Sequence, residues 1–168
     1  MDFDLQDEQK MLQAAVRRFV REQYTPAERR RIAATAAGFS DGHWAQFAEL
    51  GWLGVALPEA AGGLGCSFVE TALVAAELGA GLVLEPYVVN AVLCATLLER
   101  APATAGILAD LAAGRTRLAL AHDEPGRRFG LEAVDARALR TGGGWTLNGT
   151  KTLVLHGSIA VRLIVSAR

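Results

Sequence analysis

Arg115-Thr116-Arg117-Leu118-Ala119-Leu120-Ala121-His122 is the stretch where the pattern of the chain changes. Upstream of it, apolar residues recur at helical spacing. From Arg117 onward the run to His122 reads as a strand. Residues 133–140, 144–148 and 161–167 read as further strands, with Gly142-Gly143-Gly144 and Asn148-Gly149 as turn signals between them. Helices first and strands second give an α+β order, not an alternating βαβ one, and the strands are expected to pair antiparallel. The expected division is a helical domain over 1–115 and a partial β domain over 116–168.

Working back from the switch, Ile107, Leu108 and Leu111 mark a short helix ended by Gly114. Tyr87 to Arg100 is apolar nearly all round, which predicts the most buried helix. Ser67 and Glu70 form a capping box that opens a helix ended by Gly79. Residues 52–66 form a glycine-rich loop. Ser40 or Asp41 caps a helix carrying Trp44, Phe47 and Leu50, stopped by Gly51. Pro26 opens a charged helix to about Ala34. Leu12, Val16, Phe19 and Val20 lie on one face of the first helix, with Asp4 as its expected N-cap and Asp7 and Glu8 in its first turn.

Composition closes several function classes. Apolar residues make up 51% of the 168 residues and charged ones 21%, enough to bury a core and too apolar for disorder. The net charge of −1 offers no basic surface for nucleic acid. Cys66 and Cys94 form no CxxC pair and have no histidine at ligand spacing, so no metal site is expected; both read as reduced core thiols of a cytoplasmic protein. The apolar run Val88 to Leu98 is too short for a membrane span, and the acidic start carries no signal peptide. Neither GxGxxG nor GxxxxGK[ST] occurs, so Rossmann and P-loop nucleotide binding find no support.

Seven motifs then occur in an ordered series. They are Phe3-Asp4-Leu5-x-Asp7-Glu8-Gln9, then Trp44-x-x-Phe47-x-Glu49-Leu50-Gly51-Trp52-Leu53-Gly54, then Pro58-Glu59-x-x-Gly62-Gly63-Leu64-Gly65. After these come Glu77-Leu78-Gly79, Glu85-Pro86, Glu124-Pro125 and Leu147-Asn148-Gly149-x-Lys151. Their order resembles the acyl-CoA dehydrogenase family over the whole chain. Leu82-Val83-Leu84-Glu85-Pro86-Tyr87, Ala121-His122-x-Glu124, Val154-Leu155-His156-Gly157 and Leu163 to Arg168 are similar to the small subunit of pimeloyl-CoA dehydrogenase and related bacterial chains.

The resemblance implies an all-helical N-terminal domain followed by the first strands of an antiparallel, barrel-like middle domain. It implies FAD as cofactor, an acyl-CoA thioester as substrate, α,β-dehydrogenation as the reaction, and electron-transfer flavoprotein as acceptor. Assembly into a homo- or hetero-oligomer of such subunits is implied as well. The family's base is a glutamate of a C-terminal helical bundle. That bundle is expected to be absent from these 168 residues, so no catalytic residue is assigned here; Glu70, Glu77 and Glu85 read as capping and helix-surface groups. A longer gene product, or a partner that completes the sheet, is expected.

Carried over by position, the flavin contacts fall on Leu120, His122 and Asp123, and on Leu153, Val154 and Leu155. Contacts to pyrophosphate or CoA fall on Arg127, Arg128 and Phe129. Asp123 stands where the family has threonine and, while ionised, accepts but does not donate hydrogen bonds. Leu153 and Leu155 replace an aromatic and a hydroxyl residue, Phe129 replaces a serine and His156 an asparagine. These departures suit an alternative reading, a non-catalytic partner subunit of a heteromeric dehydrogenase. Flavin oxidases and monooxygenases of the same superfamily share the fold and stay open as a third reading.

Overall fold

The computed structural model of the chain describes residues 4–101, 104–127 and 130–168. Two compact units, Met1–Thr116 and Arg117–Arg168, make up the chain. In the first, the elements are α1 (Asp7–Gln23), α2 (Pro26–Ala33), α3 (Asp41–Glu49), α4 (Phe68–Ala80), a π-helical segment Val88–Cys94 that runs into α5 (Ala95–Glu99), and α6 (Ala105–Ala112). Among the described residues no strand precedes Leu118.

Local chemistry sets most of the helix starts. The Thr25 hydroxyl accepts from the Glu28 N–H at 3.2 Å with Pro26 in the first turn, and the Ser40 hydroxyl accepts from the His43 N–H at 3.3 Å. At α4 the Ser67 N–H donates to Glu70 Oε2 at 2.9 Å and the Val69 N–H to Ser67 Oγ at 3.1 Å, the box that the spacing predicts. Two boundaries differ from the sequence reading. α1 starts at Asp7, and its cap is Gln6, not Asp4; the Gln6 N–H donates to Gln9 Oε1 at 2.9 Å. α4 runs through Gly79 to Ala80 and is capped by Gly81. A Cβ on Gly81 would lie 2.5 Å from Val20 Cγ1, so a close approach to α1 fixes this helix end.

The core of this unit forms around Phe19, Phe47 and Trp52, whose ring centroids are 5.3–5.5 Å apart. α1 supplies Val16 and Phe19, α3 supplies Trp44 and Phe47, and the Trp44 Nε1–H donates to the Gly114 carbonyl at 3.1 Å, tying α3 to the end of α6. Between α3 and α4 the glycine-rich stretch contains two short 3₁₀ turns, Trp52–Gly54 and Glu59–Ala61. Its backbone folds on itself through Leu64 N–H to Gly54 O, Gly65 N–H to Leu57 O and Cys66 N–H to Val55 O, each 2.9 Å.

Two expectations about this core fail, at Cys66 and at Glu85, and a third holds only in part. The segment from Tyr87 to Glu99 is, as expected, the helical stretch with the largest buried share, but it is not buried all round: Asn90, Cys94 and Leu98 turn inward while Val88, Leu93 and Leu97 are exposed. Among the described residues nothing covers its outer stripe, and the Asn90 side chain donates to the Pro86 carbonyl at 3.1 Å inside the widened π turn. Cys94 is buried, but Cys66 is only half-buried and so is not a core thiol. Glu85, expected at a helix surface, has a fully buried side chain and accepts from the Ser40 N–H at 3.0 Å.

The second unit contains β1 (Leu118–Ala121), β2 (Arg137–Thr141), β3 (Gly144–Asn148) and β4 (Arg162–Val165). β2 and β3 form the expected antiparallel hairpin around Gly142-Gly143. β1 and β4 pair parallel, with Leu118 opposite Arg162 and Ala121 opposite Val165, which corrects the all-antiparallel expectation. A parallel pair needs a long crossover, and the connection from 122 to 161 provides one. Arg168 bonds to Ala136 O at 3.0 Å and from Ala138 N–H at 2.8 Å, which joins the end of the β4 segment to the start of β2. Among the described residues no helix is long and apolar enough to cross a membrane.

Two glycines separate packing from propensity. Gly79 is an exposed helix residue with nothing within 4 Å of an added Cβ, so Gly79→Ala should stabilise the chain by about 0.5–1 kcal/mol. At Gly63 an added Cβ would sit 2.1 Å from the Leu57 carbonyl oxygen, so Gly63→Ala should lower the thermal midpoint markedly. Parallel thermal melts check both signs.

Candidate flavin-binding segment

The residues that the resemblance points to lie on two stretches of the second unit: the exit of β1, and the connection after β3. Lys151 joins them. Its Nζ donates to the His122 carbonyl at 3.1 Å, to Glu124 Oε1 at 2.7 Å and to Ser166 Oγ at 3.0 Å, so all its N–H groups are used. The side chains of Lys151 and Glu124 are only 10% and 5% exposed. Burial of such a pair is tolerable because each remaining polar atom finds a partner. Glu124 also accepts from the Asp135 N–H at 2.7 Å and the Ala136 N–H at 2.8 Å. The Lys151 ammonium, followed by these two N–H donors, holds the Glu124 carboxyl down at about 2, well below its ordinary 4.5.

Backbone contacts complete the join. The Thr152 N–H donates to the Asp123 carbonyl at 2.8 Å. A Cβ on Gly149 would lie 2.7 Å from that of Ala136, so this turn passes close against the chain entering β2. Four stretches, 122–124, 135–136, 149–152 and 166, therefore meet at one polar node. His122 reaches the node with its Nδ1, 3.0 Å from Ser166 Oγ, while its Nε2 is buried without a partner among the described residues.

This join leaves Leu120, His122 and Asp123 on one side and Leu153, Val154 and Leu155 just beyond Lys151. The carbonyls of His122 and Asp123 are taken, by Lys151 and Thr152, while their N–H groups donate to no acceptor among the described residues. Leu153 and Leu155 are 76% and 67% exposed, and Leu153 has φ 51°, a left-handed conformation that a bulky residue rarely adopts. Free main-chain donors and exposed apolar side chains are the kinds of group that a planar heteroaromatic ligand with acceptor atoms along one edge requires. Val154, half-buried, does not join the exposed wall. Arg127 is exposed, and its guanidinium contacts Asp135 Oδ2 at 2.8 and 3.0 Å. Arg128 and Phe129 lie outside the described residues. The sequence reading quoted Glu124, Lys151 and Ser166 as motif residues without giving them a role; a lone lysine in a strand-turn stretch is the available signal.

Residues 6–105 match the family described as acyl-CoA dehydrogenase, N-terminal domain, and the chain belongs to that family. Benzylmalonyl-CoA dehydrogenase of Aromatoleum aromaticum is 32% identical, over all of this chain and 45% of that relative. The chain thus spans about half the length of the curated relatives it matches. Among solved structures, the ChsE4–ChsE5 complex from Mycobacterium tuberculosis is similar with a TM-score of 0.86 and 29% identity, over 100% of this chain and 46% of that one. A glutaryl-CoA dehydrogenase from Mycobacterium smegmatis in complex with FADH2 is similar with a TM-score of 0.80 and 25% identity, over 98% of this chain and 43% of that one.

The node predicts an acid limit. Glu124 titrates lower when folded than when unfolded, so its contribution is complete above about pH 4.5 and is lost as the pH falls towards 2. Glu124→Gln should lower the unfolding midpoint at pH 7 and lose less stability than the parent between pH 7 and 3. Chemical denaturation at both pH values measures the difference.

Proposed function

We propose that this chain supplies the helical domain and the first strands of a barrel-like flavin domain to an FAD-dependent acyl-CoA dehydrogenase. The reaction is α,β-dehydrogenation of an acyl-CoA thioester, and electron-transfer flavoprotein receives the electrons. The observation that carries this reading is the Lys151 node, which ties the stretch holding the two main-chain donors at 122 and 123 to the stretch that leads into the exposed leucines 153 and 155. Bound FAD would supply the hydride acceptor.

The chain's own part is to bind and to shield. The N–H groups of His122 and Asp123 offer hydrogen bonds to an acceptor edge, and Leu153 and Leu155 exclude water from one ring face. Because Asp123 cannot donate from its side chain while ionised, main-chain donors carry the polar contact. Arg127, with Arg128 and Phe129 beside it, is proposed to face phosphate groups; Arg127 would exchange its Asp135 partner for phosphate oxygens. The similarity to the ChsE4–ChsE5 complex supports assembly with further acyl-CoA dehydrogenase subunits. The Leu82 to Tyr87 and Val154 to Gly157 stretches support a place near the small subunit of pimeloyl-CoA dehydrogenase.

The full-length protein tests this. It should purify with a flavin absorbance that bleaches when an acyl-CoA substrate is added without oxygen. Lys151→Met should weaken FAD retention about tenfold, ~1.4 kcal/mol, by letting the two stretches separate. Equilibrium dialysis against FAD measures the loss; unchanged affinity would remove the node from the flavin site.

A further inference from the structure

A groove of about 440 Å³ lies between the last turn of α1, the first turn of α2 and the Gly81-Leu82 turn. Val20, Pro26 and Leu82 give it apolar walls; Arg21, Arg29 and Arg30 rim it, and no acidic residue lines it. Nearby arginines are consumed: Arg17 pairs with Glu77 at 2.7 Å and Arg31 with Glu28 at 2.6 Å. The rim differs. Arg21 reaches only exposed Glu22, Arg29 donates Nε to the Leu82 carbonyl at 2.8 Å, and Arg30 meets no carboxylate among the described residues.

Leu82 is the second unexplained feature. It has φ 51° and is 65% exposed. Glycine would serve the turn without strain, yet a leucine is held there with its side chain in solvent. Folding gains little from a strained, exposed leucine beside three guanidiniums of which only Arg21 has a counter-charge, the exposed Glu22. An occupant that covers the leucine and neutralises the arginines gains from both. The three cations stand on two helices, so they match carboxylates spaced along an extended chain better than one carboxylate. The concave shape holds a side chain, which a flat bilayer does not provide.

We propose that this groove docks an acidic peptide segment of a partner protein, with an apolar side chain flanked by carboxylates. The proposal is independent of the flavin reading. The test uses the full-length protein and a fluorescein-labelled peptide carrying one leucine between pairs of glutamates, with a lysine-for-glutamate peptide as control. Fluorescence anisotropy at low salt should show saturable binding of the acidic peptide alone, weakening as salt is raised. The double variant Arg21→Glu, Arg30→Glu should weaken it about tenfold. Leu82→Gly should also weaken it while melting no lower than the parent, because glycine relieves the backbone. Equal binding of both peptides, undiminished binding to either variant, or binding of anionic phospholipid vesicles without binding of the peptide would overturn the proposal.

Discussion

The second unit depends on one buried ammonium. Lys151 Nζ meets the His122 carbonyl, the Glu124 carboxylate and the Ser166 hydroxyl, and a cation so enclosed is stable only while all three stay in place. The strands around it are four and five residues long, and pairs of such strands are weak by themselves. Glu124 extends the constraint to the entry of β2 through two main-chain N–H groups. The connection between β1 and β2, which has no regular structure among its described residues, is thereby fixed at both ends.

Because the node spends the carbonyls of 122 and 123, what remains at the surface is donor in character. The leucines after Lys151 remain exposed, and Leu153 is bent into a conformation that its side chain disfavours. Strain and apolar exposure in one short stretch are unfavourable for an isolated fold and intelligible in a binding wall.

The helical unit is organised differently, by close approach. Gly63 passes the Leu57 carbonyl and Gly81 passes Val20 at distances where no Cβ fits, and the aromatic cluster of Phe19, Phe47 and Trp52 fills the centre. Glu85 is placed inside this unit, where the Ser40 N–H meets it and His43 Nδ1 lies 3.8 Å away. Membership of the acyl-CoA dehydrogenase N-terminal family rests on this unit, since the matching residues run from 6 to 105.

Read without a structure, the chain reveals what depends on neighbours a few residues apart. The caps at Thr25, Ser40 and Ser67, the change from helical to strand spacing near Arg117 and the Gly142-Gly143 turn were legible because short-range hydrogen bonds and side-chain period set them. The candidate site residues were legible only through a family resemblance. Contacts between distant segments were not legible at all. The parallel pairing of β1 with β4, the continuation of α4 past Gly79, the exposed stripe of Val88, Leu93 and Leu97, and the burial of Glu85 are each decided by what packs alongside. Lys151 shows the limit most plainly. Its partners lie 29, 27 and 15 residues away in the chain, and only the folded backbone brings three oxygens around one ammonium.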